Sequence, residues 1–267
     1  MSHHNHNPRS GRGDLKTPAD LKTPVRNRYF YGKLLDVMHL KMEQDYFNSK
    51  RSLANRLVTG PGVVCGLDVE LTNDGKSVVV LPGVAIDRCG REIIVTKPSS
   101  PVELPPRPPH ESEKEGYEPR YSSKYEQHHN YCEEEYAYVV LCYHECESDP
   151  VRAVAGDCET VAFCVPGSIR EQYEVTVREG FAPERKSNFP DVIEGRRISH
   201  AAIVDYVTRG CRALPEDCCV PLANIRLKDS DDGWEPEVDI TIRPIVYNNR
   251  LLFDLIRSLV YKEETEY

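Results

Sequence analysis

Between Val63 and Leu104 the chain alternates short apolar runs with turn chemistry, and this rhythm limits the fold more than any other feature. Val63-Val64-Cys65-Gly66-Leu67-Asp68-Val69-Glu70-Leu71 alternates apolar with small or polar residues. Asn73-Asp74-Gly75-Lys76 tolerates positive φ and predicts a turn, after which Ser77 to Leu81 returns as a strand. Pro82-Gly83, Val84-Ala85-Ile86, Cys89-Gly90 and Glu92 to Thr96 continue the pattern as turn, strand, turn and strand. Short strands at this spacing indicate an antiparallel β module.

A helix is expected on the N-terminal side of the module, from about Asp36 to Leu57. Asp36 is placed to accept from free amides of the first turn. Met38, Met42, Tyr46, Leu53 and Leu57 share one face at steps of four or seven, and Thr59-Gly60-Pro61-Gly62 ends the helix. The apolar stripe is expected to pack on the following sheet. Residues 1–27 read as a disordered arm, with three His, scattered Gly and Pro, and a short Leu-Lys-Thr-Pro duplication at Leu15 and Leu21.

Downstream, residues 105–130 read as a linker or long loop rich in Pro, Glu and Tyr. A Cys-rich, β-rich region spans 131–247. Strands are expected at Glu135 to Glu147, Ile169 to Arg178, Val220 to Leu227 and Val238 to Ile242, with a helix over Asp191 to Thr208. Asp229 to Asp232 with Gly233 resembles part of a calcium loop without its downstream ligand spacing, and a polar hairpin turn explains it equally well. A C-terminal helix from about Asn249 to Tyr261, within 248–267, carries Leu251, Leu252, Leu255, Ile256 and Leu259 on a broad apolar face that needs cover from this chain or a neighbour. The segments are thus an arm (1–27), a helix plus β module (28–104), the linker, the Cys-rich region and the final helix. The fold class is α+β, mainly antiparallel β with a helix at each end.

With 39% hydrophobic residues, 29% charged residues and a net charge of −9, the chain is a poor general nucleic-acid binder, which would need clustered Lys and Arg. No apolar stretch approaches the roughly 20 residues of a membrane span, and the N-terminus lacks the apolar core of a secretory signal. Synthesis in the cytoplasm is expected, with later release as part of a particle left open.

Ten cysteines are the main chemical signal. On an extended strand Cys142, His144 and Cys146 share a face, and loop residues Cys158 and Cys164 are available to complete a tetrahedral zinc site. Paired Cys-x-x-Cys hooks are absent, so a structural metal, disulfides and unlinked thiols all remain open. His144 and His200 are available to a cysteine nucleophile. The sequence holds no Gly-x-Ser-x-Gly elbow, phosphate loop or dinucleotide-binding turn. No catalytic residues or cofactor are assigned.

Arg26-Asn27-Arg28-Tyr29-Phe30-Tyr31-Gly32-Lys33 is an aromatic-basic segment. In an acidic chain it suits docking to another subunit, or anchoring of the arm, better than base stacking. The expected interface residues are Arg28, Tyr29, Phe30 and Tyr31, with Leu252, Leu255, Ile256 and Leu259 of the last helix.

Three blocks resemble a family of proteins encoded beside phage-tail-like contractile injection systems. The first, Arg28 to Val69, holds Tyr29-Phe30-Tyr31-Gly32-Lys33-Leu34-Leu35, Glu43-Gln44-Asp45-Tyr46, Asn55-Arg56-Leu57 and Gly62-Val63-Val64-Cys65-Gly66-Leu67. The second joins Pro82-Gly83-Val84-Ala85-Ile86-Asp87 to Gly90-Arg91-Glu92-Ile93-Ile94-Val95. The third is Val220-Pro221-Leu222-Ala223-Asn224-Ile225 with Arg243-Pro244-Ile245-Val246-Tyr247-Asn248-Asn249. The resemblance implies a baseplate or accessory structural subunit without known catalysis. It implies neighbouring subunits as partners, and self-association or incorporation into a ring. A metal-binding or thiol-redox protein is the alternative; a cell-wall hydrolase ranks below both.

Overall fold

A computed structural model describes residues 21–106, 135–152, 164–184, 193–194, 197–208, 210–211, 213–227, 229–230, 233–234 and 236–264. In chain order the helices are α1 (Val37–Ala54), continued by a π-helical turn (Asn55–Thr59), α2 (His200–Thr208) and α3 (Asn249–Glu264). The first strands are β1 (Gly62–Gly66), β2 (Val69–Leu71), β3 (Ser77–Val80), β4 (Gly83–Ile86), β5 (Glu92–Val95) and β6 (Val102–Glu103). The remainder are β7 (Glu135–Arg152), β8 (Cys164–Glu179), β9 (Ile193–Glu194), β10 (Arg197–Ile198), β11 (Val220–Leu227), β12 (Asp229–Ser230), β13 (Gly233–Trp234) and β14 (Glu237–Asp239). The class is α+β, mainly antiparallel β, as the sequence pattern implies.

The chain divides into two compact units, Met1–Lys50 with Arg185–Glu216, and Arg51–Glu184 with Asp217–Tyr267. In the first, Asp36 caps α1: its carboxylate accepts the His39 amide at 3.0 Å, and its carbonyl accepts the Leu40 amide. The stripe does not become core, however. No residue of α1 is buried, and Met38 is 69% exposed. The helix expected over 191–208 is shorter: α2 begins at His200 and follows the small β9–β10 pair.

In the second unit, β1-β4-β5 and β2-β3-β6 form three-stranded antiparallel sheets, and β14-β11-β7-β8 forms a four-stranded one. Their inner faces share one core. Val63, Leu67, Val78, Val80 and Ile93 join Val139, Leu141, Leu222 and Ile225 in it, so strands from 28–104 and 131–247 are packed together rather than as separate segments. Burying this aliphatic surface drives the fold, at roughly 25 cal/mol per Å² removed from water.

Backbone contacts tie in the ends. The Val63 amide donates to the Pro244 carbonyl at 2.8 Å, and the Val246 amide donates to Val63 at 2.9 Å. Asn55 donates to the Gly90 carbonyl at 3.0 Å and to Glu92 at 2.8 Å, which locks the π-helical turn onto the β4–β5 turn. That turn is organised by the fully buried Asp87 carboxylate, which accepts the Cys89 and Arg91 amides at 2.9 and 2.8 Å and pairs with Arg91 Nε at 2.7 Å.

The longest feature is the β7–β8 ladder, whose fifteen residue pairs run in one register from Ala137↔Glu179 to Arg152↔Cys164. β11 covers β7 only between Glu135 and Leu141. From Cys142 onward the two strands form a ribbon of roughly 34 Å at about 3.4 Å per residue, and most of its side chains are exposed. Pro150 faces Pro166 across it, removing amide donors from both edges at one rung. At the neighbouring position Asp149 takes a left-handed backbone (φ 55°), while its carboxylate holds Ser168 and, at 2.9 Å, Arg170.

Candidate functional site

The chemistry-bearing residues converge where the ribbon leaves the sheet. Leu141, the last β7 residue paired with β11, faces Val220. One residue further along each strand, Cys142 and Cys219 are joined in a disulfide, and Cys218 is joined to Cys89 in the β4–β5 turn. The adjacent Cys218 and Cys219 therefore stitch the start of β11 to the β4–β5 turn of another sheet and to β7 of its own. The Arg88 amide also donates to the Cys218 carbonyl at 3.0 Å.

Arg178 of β8 completes this node. One guanidinium nitrogen lies 2.5 Å from the Asp217 carboxylate and the other points at Cys219 Sγ at 3.6 Å. Burial alone would raise the Asp217 carboxyl, but the Arg178 hydrogen bond, the Cys219 amide and the Arg178 and Arg88 charges outweigh it and hold it below the ordinary aspartate range. In turn, the Asp217 carboxylate pushes the Arg178 guanidinium up.

On the opposite ribbon face Tyr143 stacks under Arg91, whose guanidinium carbon is 4.5 Å from the ring centroid, and donates to Glu145 at 2.8 Å. Burial, then the Glu145 and Glu171 carboxylates, push its hydroxyl well above the ordinary tyrosine value. This phenol stays protonated and serves as a donor.

Two apolar surfaces lie open. The Lys33 amide donates to the Phe30 carbonyl at 3.1 Å, and Gly32, at φ 84°, closes a turn. That turn presents Tyr31 at its tip, fully exposed, between the exposed Phe30 and Leu34. Arg28 and Tyr29 are exposed beside it. On α3, Asn248 caps the first turn by accepting the Leu251 amide at 2.9 Å. Leu252, Leu255, Ile256 and Leu259 follow at helical spacing, and all four are exposed.

No family model matches this chain, and neither does any curated protein.

The expected site residues fall into two groups. The eight interface residues are all on the surface. The four described residues of the metal set stand apart. Cys142, His144 and Cys146 do lie in unbroken β7 register and share a face, but Cys142 is committed to Cys219 and leaves the thiolate set. Same-face neighbours on a strand stand about 7 Å apart, too far for one ion to reach three of them. Cys164 is not in a loop: it is the first residue of β8, six rungs from Cys146, and both carry free exposed thiols. Cys158 lies outside the described residues. Among the described residues no three His, Cys, Asp or Glu side chains gather to hold a metal, and no helix is long and apolar enough to cross a membrane. Cys89, Arg178 and Asp217 did not stand out in the sequence; the adjacency of Cys218 and Cys219 was the available signal.

Proposed function

We propose that this chain is a structural subunit, of baseplate or accessory type, in a phage-tail-like contractile particle, and that it works by docking rather than by catalysis. The observation that carries this reading is the pair of exposed apolar surfaces, Tyr29 to Met38 and the α3 face, each of which gathers several large apolar side chains on one short segment. Exposed aromatic residues beside arginine suit the centre of an interface, since they offer area and directed bonds at low entropic cost. The resemblance of the three sequence blocks supplies the class of particle. Much of those blocks serves the scaffold: Asn55, Gly62, Gly66, Gly90 and Pro244 make close backbone contacts or anchoring hydrogen bonds. That leaves the aromatic turn free for a neighbour.

Deletion of residues 1–33 tests the reading. The β core is expected to stay folded by circular dichroism and thermal melting, while incorporation into particles isolated from cells is lost. Unchanged incorporation would sink it.

A further inference from the structure

We infer that the Cys142–Cys219 disulfide is a thiol-exchange site of fixed polarity, taking a small dithiol as co-substrate at Cys142 and releasing Cys219 as the leaving sulfur. This inference is independent of the docking reading.

Three observations carry it. Both cysteines are half-buried, and neither is closed off from solvent. Arg178 is aimed at only one of its two sulfurs, with a guanidinium nitrogen 3.6 Å from Cys219 Sγ, and Asp217 fixes that guanidinium in place. Lastly, the bond lies at the root of the ribbon, next to the final Leu141↔Val220 pair, so opening it removes the covalent tie between ribbon and β11.

Polarity follows from leaving-group chemistry. Exchange is faster when the departing sulfur is the better-stabilised thiolate, and a cation within hydrogen-bonding reach stabilises that anion. The attacking thiolate forms a bond to Cys142 Sγ as the Cys142–Cys219 bond breaks, and the bonding pair departs on Cys219 Sγ beside Arg178. The second thiol of the dithiol, once deprotonated, attacks the mixed disulfide. It closes the reductant's own disulfide and releases Cys142 as a thiolate. Two electrons pass from dithiol to protein, and the two protons given up by the dithiol are available to the two cysteines.

The test treats the full-length protein briefly with glutathione, a monothiol with no second thiol of its own to resolve the mixed disulfide. The reaction is acid-quenched early, free thiols are alkylated, and the adducts are located by peptide mass spectrometry. The glutathione adduct is expected on Cys142, with Cys219 alkylated. An adduct predominantly on Cys219, or equally on both, would overturn the inference, as would free Cys142 and Cys219 thiols in the untreated native protein. With dithiothreitol, Arg178→Gln is expected to slow opening of this bond by about three- to tenfold, the effect of losing one charge-assisted contact on the leaving sulfur. Arg178→Lys should recover part of that rate, while Arg170→Gln, further along β8, should leave it unchanged. An unchanged rate in a folded Arg178→Gln protein also overturns the proposal. Should that variant fail to fold, the adduct position in the unaltered protein still decides.

Discussion

Glycines permit the approach of β1 and β4. A Cβ on Gly66 would lie 2.2 Å from the Pro82 carbonyl oxygen, and one on Gly83 would lie 2.4 Å from the Cys65 carbonyl oxygen. Gly66 also has φ of 64°, and Leu67 after it stays left-handed at 60° while fully buried. Gly66→Ala meets rigid backbone on one side and an unfavourable dihedral on the other. We expect it to lower stability by about 2–4 kcal/mol, the sum of strain and overpacking. Urea unfolding would show this as a lower midpoint at unchanged slope, and a loss below about 1 kcal/mol would mean that β4 yields. This break was not legible in sequence. Val63 to Leu71 alternates well enough to read as one strand, and only the tertiary approach of Pro82-Gly83 explains why it splits into β1 and β2.

At the level of elements, local chemistry located α1 with its π-helical continuation, the strands from Ser77 to Val95, and β11 within a residue or two of their observed limits. Capping by Asp36 and the turn at Gly75 account for much of this, because each acts over a few bonds. Burial was less legible. The α1 stripe is apolar yet reaches only half-burial, at Met42, Tyr46 and Leu53, since periodicity reports which residues share a face and not what covers it. β7 also runs past the expected Glu147: Ser148 to Arg152 is mostly polar and contains Pro150, yet β8 pairs with it at every position but Asp149. The α3 face gives a prediction at this scale. Leu255 and Leu259 are 43% and 69% exposed, so the double variant Leu255→Gln, Leu259→Gln should change stability by no more than about 0.5 kcal/mol. Native mass spectrometry should show it shifted to smaller assemblies than the unaltered protein. An unchanged distribution would mean that this face carries no self-association.

Across the whole molecule, two cross-links join residues far apart in sequence. Cys89–Cys218 spans 129 residues and Cys142–Cys219 spans 77. Closing such loops removes much of the unfolded chain's freedom, at about 4–5 kcal/mol for each loop considered alone. Replacing both Cys89 and Cys218 with Ala should therefore lower unfolding free energy by a few kcal/mol in chemical denaturation; a loss below about 1 kcal/mol would mean the β core alone restrains the chain. The cysteine count announced some cross-link or metal but could not choose among them, because the pairing depends on how β7 and β11 meet. Above the root formed by these bonds, the ribbon has mechanical consequences. Its hydrogen bonds run across the strands, so a pull that parts the two strands at the tip loads one rung at a time, like a zipper. Tension would peel Arg152 from Cys164 first and advance toward Cys142; neither disulfide holds β8, so from there the packing of Tyr173, Val175 and Val177 against the core resists further opening. The ribbon can thus give way under load by stages and close again while the core keeps its shape.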